Sequence, residues 1–480
     1  MFDAINTVVG AISGVLYQPW CVPLILLAGG IILTVRSKFI QGRLFTESFK
    51  VVMEKPKTEG GISSFGALMV STASRVGTGN IIGVTSAIAI GGAGALFWMW
   101  ITAIIGGASA FVESTLAQIY KKKDKDGSSF GGPAYYMADA LGQRWLGVIF
   151  SVIIILTYAV GYNMLAAYNL QSTFKTFDFY SNATPIIIGI ILAVLFGIIV
   201  IGGAKRLINV TGVMVPIMGV IYVVVAIIVL IINIENIPAM FKLIFQSAFD
   251  FKSIFGGFAG SCIMNGIKRG LYSNEAGMGS APNAAAKADV SHPAKQGLVQ
   301  MLSVFLDTLL ICTATGFMVL SSGVGVTEAM QADAALYVQA AMGESLGAFG
   351  PIFIAVAMSL FAFTTLIGNY SYCEGCLNFI AGRQVSNTSI LIFRLVATVL
   401  VFVGTIATAS MVWNIADMLQ GFMVVINIPV ILILMKPAMK ALDDYCKQKK
   451  EGKDPVFVAK EAGLDDSKLE FWKSEQLKND

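Results

Sequence analysis

Residues 74–83 read SRVGTGNIIG and lie within residues 65–90, a stretch that otherwise has the apolar composition of a membrane-spanning helix. Glycine weakens a helix, and a buried asparagine costs free energy unless it is hydrogen-bonded. A helix surrounded only by lipid gains nothing from three glycines and an asparagine at its midpoint. The stretch therefore predicts a helix that is interrupted inside the membrane.

The whole chain has the composition of a membrane protein. Of its 480 residues, 56% are hydrophobic and only 13% are charged, and the mean hydropathy is +0.75. About a quarter of the residues in soluble domains are charged, so this composition excludes a soluble globular protein. Apolar runs of about 18 residues or more recur, and they lack the alternation of barrel strands. We therefore predict an all-α polytopic membrane protein.

Hydropathy predicts eleven transmembrane helices. They cover residues 18–36, 65–90, 94–119, 146–170, 184–203, 208–233, 255–285, 296–321, 350–380, 389–409 and 412–436. Lysine and arginine concentrate in every second connection, as in residues 36–57 and 121–123. Since basic loops remain in the cytoplasm, this pattern predicts an N-terminus outside the cell and a cytoplasmic C-terminus.

A second predicted span is interrupted in the same way, by NGIKRGLYSNEAGMGSAPNAAAK at residues 265–287. Setting the first span aside leaves two sets of five, and each set begins with an interrupted span. Paired interruptions at corresponding positions indicate an inverted-repeat transporter whose site lies at the bilayer midplane. The predicted units are an N-terminal helix with its connection, two five-helix repeats and a cytoplasmic tail, at 1–64, 65–233, 234–436 and 437–480. The charged tail favours a solvated or surface-lying helix over a regulatory domain.

An interrupted helix exposes backbone groups that lipid cannot satisfy, and Gly77, Gly79 and Gly83 let the backbone leave helical geometry. Amides at the N-terminus of a half-helix suit a carboxylate, and carbonyls at a C-terminus suit Na⁺. An amino acid and a sodium ion would satisfy both ends. Close packing through small residues is the alternative. Packing alone explains Asn80 and Asn274 poorly, because such residues are costly in lipid unless they are paired.

Five motifs resemble the alanine or glycine:cation symporter family. They are VGTGNIIGVTSAIAIGGAGALFWMWITAIIGGASAFVESTLA, GIKRGLYSNEAGMGSAPNAAA, HPAKQGLVQ, FLDTLLICTATG and LFAFTTLIGNYSYCEG. The similarity covers nearly all of residues 1–437. It implies an eleven-helix transporter of the sodium-coupled leucine-transporter type in a prokaryotic cell membrane. It also implies Na⁺- or H⁺-driven uptake of alanine, glycine or a related small neutral amino acid, without a further cofactor or nucleic acid, and leaves the oligomeric state open.

The resemblance also implies site residues. The substrate would contact Gly77, Thr78, Gly79, Asn80, Tyr272, Ser273, Asn274, Thr365, Leu366 and Asn369. The cation would bind oxygens of Ala73, Val76, Phe361, Thr364 and Thr365. From the residues alone, the two threonines could equally hydrogen-bond to carbonyls of their own helix.

The chain departs from the family pattern at two of its positions. Family members often have glutamine where this chain has Ala166, and some have tryptophan where it has Asn369. Replacing a bulky ring by an amide would make the pocket larger and more polar. The alternative to an alanine or glycine transporter is therefore a Na⁺-coupled glutamine or asparagine transporter of the same fold.

Charged residues inside spans are functional candidates. Asp307 could bind a cation or a proton, or make a structural hydrogen bond. Glu275 could be a gating or coupling carboxylate that changes partner during the transport cycle, or a hydrogen-bond acceptor that ties the unwound backbone together, and we favour the second interpretation. Arg269 is a gating candidate that we expect to pair with a carboxylate or carbonyl. Because the proposed pocket requires no carboxylate, Na⁺ is favoured over H⁺ as the coupling ion.

Two other classes of protein were weighed. A membrane-embedded enzyme with a histidine metal cluster is excluded because His292 is the only histidine, and a loop role is favoured for it. An ion channel would require a repeated filter, usually with oligomeric symmetry. Two unlike interrupted helices in one chain indicate alternating access instead.

Overall fold

The computed structural model describes residues 2–58, 61–124, 127–382 and 384–473. Within these ranges the regular structure is helical, apart from a hairpin of two short antiparallel strands, β1 (Lys122–Lys123) and β2 (Ser129–Phe130). This is the predicted fold class, an all-α polytopic membrane protein.

Eight described helices are long and apolar enough to cross a membrane. They are Gly94–Ile119, Arg144–Ser172, Thr184–Ile201, Arg206–Ile232, Pro293–Ser321, Phe349–Ala381, Asn387–Thr405 and Ala409–Ile433. Shorter apolar helices cover Ile5–Leu16, Val22–Arg36 and Gly79–Gly91. The count of eleven spans stays a prediction, because interrupted helices are too short to be recognised by length and composition.

The N-terminal region forms four helices. They are α1 (Phe2–Leu16), α2 (Val22–Arg36), α3 (Ile40–Arg43) and α4 (Phe45–Val52). The sequence predicted a helix from residue 18, but α2 begins at Val22. Pro23 occupies its first turn, where a missing backbone N–H costs nothing. Hydropathy did not identify α1, which packs against the last long helix of the bundle.

The next part of the chain contains the first predicted repeat. Its helices are α5 (Ser64–Arg75), α6 (Val84–Gly91), α7 (Gly94–Ile119), α8 (Pro133–Asp139), α9 (Arg144–Ile155), α10 (Asn163–Ser172), α11 (Thr184–Ile201) and α12 (Gly203–Ile232). Two π-helical turns belong to this part, Gly79–Gly83 directly before α6 and Leu156–Tyr162 between α9 and α10. The sequence predicted neither turn.

The remaining helices contain the second predicted repeat and the tail. They are α13 (Ile237–Ala248), α14 (Phe251–Gly256), α15 (Cys262–Asn274), α16 (Pro282–Ala285), α17 (Pro293–Phe305), α18 (Thr313–Ser321), α19 (Glu328–Ala332), α20 (Ala334–Leu346), α21 (Phe349–Ala381), α22 (Asn387–Thr405), α23 (Ala409–Ile433) and α24 (Met435–Lys450). A π-helical turn, Leu306–Cys312, joins α17 to α18. α15 begins at Cys262 rather than near residue 255, because Ser261 caps it by accepting from the N–H of Met264.

The long helices form an inner and an outer set. In α7, α17–α18 and α21, 67–72% of the most apolar stretch is buried, whereas the corresponding share in α11, α12 and α22 is 22–39%. The outer helices therefore present isoleucine and valine side chains to the surroundings, as expected where lipid is the solvent. α7 packs against both α15 and α17, which places it at the centre of the bundle.

Beyond α24, residues 451–473 fold back onto the bundle. Phe457, Ala459 and Leu469 are buried and pack with Ile119 at the end of α7. The expectation of a solvated or surface-lying helix is therefore wrong for this segment. Its aromatic and aliphatic side chains pack instead against an apolar surface at the end of α7.

His292 ties α17 to this segment. Its Nδ1 accepts from the N–H of Ala294 at 3.1 Å, its Nε2 lies 3.2 Å from Oδ2 of Asp444, and its ring packs against Phe457. Burial lowers the pKa of His292, although the hydrogen bond to Asp444 opposes the shift. A neutral ring fits these contacts, since Nδ1 must accept, so His292 acts as a helix cap. Residues 474–480 of the predicted tail lie outside the described residues.

Candidate functional site

The first broken helix consists of α5, the π-helical turn that follows it, and α6. α5 ends where Val76 leaves helical geometry, with ψ at 85°. The N–H of Gly77 donates to Oδ1 of Asn80 at 2.7 Å, whereas a continuous helix would pair it with the carbonyl of Ala73. The predicted interruption is confirmed, and carbonyls at the end of α5 are released for other partners.

The glycines of the first broken helix permit close packing. None of Gly77, Gly79 and Gly83 has a positive φ, so the backbone leaves helical geometry without using the region that favours glycine. A Cβ on Gly77 would lie 1.7 Å from Oγ1 of Thr365, and one on Gly79 would lie 3.0 Å from the ring of Tyr272. Glycine thus brings this backbone directly against α21 and α15.

The second broken helix consists of α15 and α16, and the turn between them has left-handed residues. Glu275 has a φ of 55°, and Gly277 and Gly279 have φ values of 82° and 79°. Oε2 of Glu113, on α7, accepts from the N–H of Gly279 at 3.1 Å and from Nδ2 of Asn427 at 2.8 Å. Asn427, on α23, also donates to the carbonyl of Gly277 at 2.9 Å. Buried side chains thus replace the backbone partners that the interruption removes.

Asp307 joins the two broken helices. It is buried in the π-helical turn between α17 and α18. Its Oδ1 accepts from Nδ2 of Asn80 at 2.7 Å, and its Oδ2 accepts from the hydroxyls of Ser273 and Thr308, each at 2.8 Å. Nδ2 of Asn274 donates to Oγ1 of Thr308 at 3.2 Å. Three residues predicted to contact substrate are therefore gathered around this carboxylate.

Thr78 and Tyr272 make a second contact between the broken helices, with their hydroxyl oxygens 2.9 Å apart. Nδ2 of Asn169, on α10, lies 3.4 Å from Oγ1 of Thr78. The ring of Tyr162, in the π-helical turn before α10, packs edge-on against Tyr272 with centroids 4.8 Å apart. Oδ1 of Asn169 is buried and has no hydrogen-bond partner among the described residues.

Asn369, on α21, lies in a chain of hydrogen bonds between α5 and α10. Its Oδ1 is 2.7 Å from Oγ of Ser74, and its Nδ2 donates to Oδ1 of Asn163 at 3.0 Å. The same Ser74 hydroxyl lies 2.7 Å from Oε1 of Glu275, whose other oxygen accepts from Ser280 at 2.8 Å. Glu275 thus accepts from two side-chain hydroxyls, on α5 and beside α16, and its expected role in holding the unwound backbone stays a prediction.

The residues expected to hold the cation lie where α5 meets α21. A Cβ on Gly368 would lie 2.3 Å from the backbone at the end of α5, so the two helices are in backbone contact. Oγ1 of Thr365 donates to the carbonyl of Phe361 at 2.8 Å, and Oγ1 of Thr364 donates to the carbonyl of Leu360 at 3.0 Å. Both hydroxyls make the bonds within their own helix that we considered as the alternative, and both retain lone pairs that can accept or coordinate.

The other expected site residues are buried near the same contact. Ala73 and Val76 flank the break beside Gly77, which touches Thr365. Leu366, also on α21, is fully buried in the apolar core and contributes no polar side-chain group. All predicted substrate and cation residues are buried, which places them out of reach of solvent in this conformation.

A charge cluster links α15 to α23. Arg269 donates to both carboxylate oxygens of Asp417, at 3.0 and 3.2 Å, and lies 3.9 Å from the ring centroid of Trp413. Nζ of Lys268 is 3.5 Å from Asp417. The indole of Trp413 also packs against Tyr272. Arg269 therefore pairs with a carboxylate, as expected, one turn away from the candidate site.

Arg75 lies among three buried carboxylates. It interacts electrostatically with Glu113, Glu275 and Asp307, and its Nη1 donates to the backbone and side chain of Gln300. Its Nε and Nη2 have no hydrogen-bond partner in the part of the chain that the structure describes. Ionised carboxylates are costly to bury without compensation. Three of them around one guanidinium favour the entry of further positive charge, as a cation, an ammonium group or a proton.

Several residues of the site were not predicted from the sequence. Asp417 is an aspartate within an apolar span, so the rule that selected Asp307 could have selected it. Asn163 and Asn169 lie on either side of Ala166, in YNMLAAYN at residues 162–169, and their polarity inside a span was the available signal. The π-helical turns have no comparable signal, because hydropathy does not distinguish them from α-helix.

Two interrupted helices that meet at a buried polar cluster, inside a bundle of apolar helices, define a multi-pass membrane transporter. Comparison with known proteins gives the family: the chain belongs to the sodium:alanine symporter family, which matches residues 2–459. The resemblance noted from the motifs is thereby confirmed.

Individual relatives match over most of their length. The chain is 45% identical to the amino-acid carrier protein AlsT of Bacillus subtilis over 94% of this chain and 95% of that protein. It is 42% identical to the probable sodium/glutamine symporter GlnT of the same bacterium, over 100% of this chain and 98% of that protein. It is 36% identical to the sodium/alanine symporter AgcS of Methanococcus maripaludis, over 89% of this chain and 94% of that protein.

Proposed function

We propose that this protein is a secondary active transporter that couples uptake of a small neutral amino acid to Na⁺ by alternating access. The observation that carries the proposal is the meeting of the two broken helices at Asn80, Asp307 and Ser273. Unwound backbone inside a membrane is tolerated only where it is buried in protein or lines a cavity. Polar groups from both interruptions point to one ligand site shared between them.

The helix contacts support an inverted repeat of five and five helices. The second helices of the two sets, α7 and α17, pack together, and so do the fourth helices, α11 and α22. The first broken helix packs on α21, the third helix of the second set. In return, Tyr272 of the second broken helix touches Tyr162 beside α10, in the third helix of the first set. Reciprocal contacts of this kind follow from a two-fold relation in the membrane plane.

The substrate would lie between the first broken helix, α10 and the second broken helix. Asn163 has a buried Nδ2 and Asn169 a buried Oδ1 without hydrogen-bond partners among the described residues, so this face of α10 offers one donor and one acceptor. An amino acid offers the complement, an accepting carboxylate and a donating ammonium group. Backbone and hydroxyl groups of Gly77, Thr78 and Gly79 would complete the carboxylate site.

The cation would bind where the released carbonyls of α5 face Thr364 and Thr365. These oxygens are hard, uncharged ligands of the kind that Na⁺ takes in transporters. In their ionised forms, the buried carboxyl groups of Glu113, Glu275 and Asp307 would favour a cation nearby through the field that they create. Asp307 is the second candidate ligand, because its carboxylate contacts Asn80 of the first broken helix and Ser273 of the second.

Alternating access requires closures on the two sides of the site. The contacts of Arg269 with Asp417 and Trp413 would form one closure, since they tie α15 to α23 next to Tyr272. The folded-back tail packs against the C-terminal end of α7, at the other end of the bundle, and would contribute to the second closure. With the N-terminus outside, as the basic loops predict, the first closure is extracellular.

Glutamine is the second candidate substrate. The relative GlnT is described as a probable sodium/glutamine symporter. The amide of Asn369 adjoins Asn163, so the proposed pocket has polar side chains where a substrate amide could bind. Alanine and glycine remain the first candidates, in keeping with the family.

Uptake into proteoliposomes tests the proposal. Radiolabelled alanine should accumulate against its gradient when Na⁺ is outside, and not when K⁺ replaces it. A tenfold excess of unlabelled glycine, glutamine or asparagine then ranks the substrates by competition. Alanine flux that never exceeds equilibrium, or current without substrate, would contradict a symporter and favour a channel.

A further inference from the structure

A cavity of about 390 Å³ lies between the folded-back tail and three connections of the bundle, those before α5, between α7 and α8, and after α16. We call it the tail cavity. Lysines from all four segments line it: Lys57, Lys121, Lys123, Lys287 and Lys473. It is separate from the candidate transport site, which lies at the midpoint of the broken helices.

Negative charge in the tail cavity is already engaged. Among its described lining residues the acidic one is Asp289. Oδ2 of Asp289 accepts from the N–H of Thr58 at 2.6 Å and from its hydroxyl at 2.7 Å, while the N–H of Asp289 donates to the carbonyl of Ile62 at 2.9 Å. This carboxylate holds two connections together, and the described walls of the cavity carry a surplus of positive charge.

Lys121 shows that this surplus is built into the fold. Its side chain is 3% exposed, its Nζ donates to the carbonyl of Ala288 at 3.2 Å, and it lies 4.7 and 4.9 Å from the ring centroids of Phe471 and Trp472. Burial lowers the pKa of Lys121 to about 7, and an anion beside it would favour its charged form. Nζ of Lys287 instead donates to the carbonyl of Ser371, on α21, at 3.3 Å.

Retention of basic loops in the cytoplasm explains why lysines occur here but not why they converge. Lysines that serve only membrane topology can remain solvated and apart. Here four separate segments bring them to one cavity, whose volume lies within the range of small-molecule sites. Phe457, Phe471 and Trp472 supply an apolar wall. The hydroxyls of Ser129 and Ser291 donate to the carbonyls of Ala286 and Pro455, so the lysines are the donors that a ligand would meet.

We propose that the tail cavity binds a phosphate-bearing anion, either a small organic phosphate or the headgroup of an anionic phospholipid. A phosphate group carries the charge that several lysines can share, together with oxygens that accept from ammonium donors. The aromatic wall would contact the rest of the ligand. The inference concerns binding only and is independent of which amino acid the protein transports.

Thermal unfolding of the full-length protein tests the inference. In detergent at constant ionic strength, AMP should raise the unfolding midpoint in a saturable way, inorganic phosphate should do so more weakly, and adenosine should have no effect. The double variant Lys57→Gln, Lys123→Gln, which changes two exposed lining lysines on different connections, should require at least about fivefold more AMP for half-saturation, because it removes two charge contacts. Lys242→Gln, which removes an exposed lysine on α13, is the control and should titrate like the wild type.

Nanodiscs separate the two sources of phosphate. A higher midpoint in phosphatidylglycerol than in phosphatidylcholine, lost in the double variant, identifies a lipid headgroup as the occupant, whereas a response to AMP in both identifies a soluble phosphate. The inference fails if AMP, phosphate and phosphatidylglycerol all leave the midpoint unchanged. It fails equally if adenosine acts like AMP or if the double variant responds like the wild type.

Discussion

The two broken helices are interrupted in physically different ways. The first is interrupted without any left-handed residue, through one hydrogen bond from the N–H of Gly77 to Asn80. The second requires left-handed backbone at Glu275, Gly277 and Gly279, and a buried carboxylate on α7 holds its turn. The first interruption thus depends on close packing of neighbouring backbones, and the second on charged and polar anchors.

This difference suggests that the two broken helices have different roles in transport. Backbone that is held by one side-chain amide can change its contacts at low cost, so we expect the first broken helix to bind and release ligands. Backbone that is fixed by positive φ values and several hydrogen bonds to buried groups is expensive to rearrange. We expect the second broken helix to move as a unit with its anchors. Four substitutions test this comparison.

The largest effect is expected at Gly77. In Gly77→Ala the new Cβ would lie 1.7 Å from Oγ1 of Thr365, so α5 and α21 must separate, and such overpacking costs about 1–3 kcal/mol. Uptake of labelled alanine into proteoliposomes should fall to background. Gly83→Ala is the control on the same broken helix, since its Cβ would meet the ring of Tyr272 at an ordinary 3.4 Å. Normal uptake by Gly77→Ala would remove close packing as the basis of the first interruption.

Asp307→Asn should have the next largest effect, because Asp307 touches both interruptions. The amide has nearly the same shape but no charge, so the contacts to Asn80 and Ser273 can be partly kept while the field on a cation is lost. We expect the Na⁺ concentration for half-maximal uptake to rise about tenfold, equivalent to about 1.4 kcal/mol. Glu328→Asn, outside the bundle core, is the control. An unchanged Na⁺ dependence would leave Asp307 a structural residue only.

The two interruptions could be predicted from the sequence because each is marked by its local amino-acid composition. Glycine and asparagine in an apolar run mark a place where the helix is not simply solvated by lipid. Hydropathy likewise located the long helices to within a few residues. The fold class and the polar residues Asn80 and Asn274 could therefore be named in advance, whereas Ser273 was implied by the family resemblance and Thr308 was not predicted.

The contacts between distant segments could not be predicted in the same way. The pairing of Arg269 with Asp417 depends on how α15 packs against α23, which no local pattern specifies. The π-helical turns carrying Asp307 and Tyr162 have the same composition as their neighbours. The tail reads as a charged helix because its buried aromatic residues are few, and only the surface at the end of α7 shows where they pack.

Glu113→Gln tests the anchor of the second interruption. Glutamine can still accept from the N–H of Gly279, but its amide nitrogen would replace Oε1, which is buried without a hydrogen-bond partner among the described residues, and an unpaired buried donor costs about 1–3 kcal/mol. We expect a lower thermal unfolding midpoint and uptake reduced by a few fold, with Na⁺ affinity changed less than in Asp307→Asn. A Na⁺ affinity that falls as far as in Asp307→Asn would contradict the separation of anchor from ligand site.

The smallest effect is expected at Asn369, where only substrate preference should change. Asn369→Ser keeps a polar group beside Ser74 but removes the amide that reaches Asn163. Alanine uptake should stay near the wild-type rate, while competition by glutamine should weaken by about fivefold, because a pocket hydrogen bond is worth about 1 kcal/mol. Ser359→Ala, on the half-buried face of α21, should leave both unchanged. If glutamine competed equally well with both variants, Asn369 would act only as a link between α5 and α10, and substrate choice would have to reside in the backbone of the first broken helix.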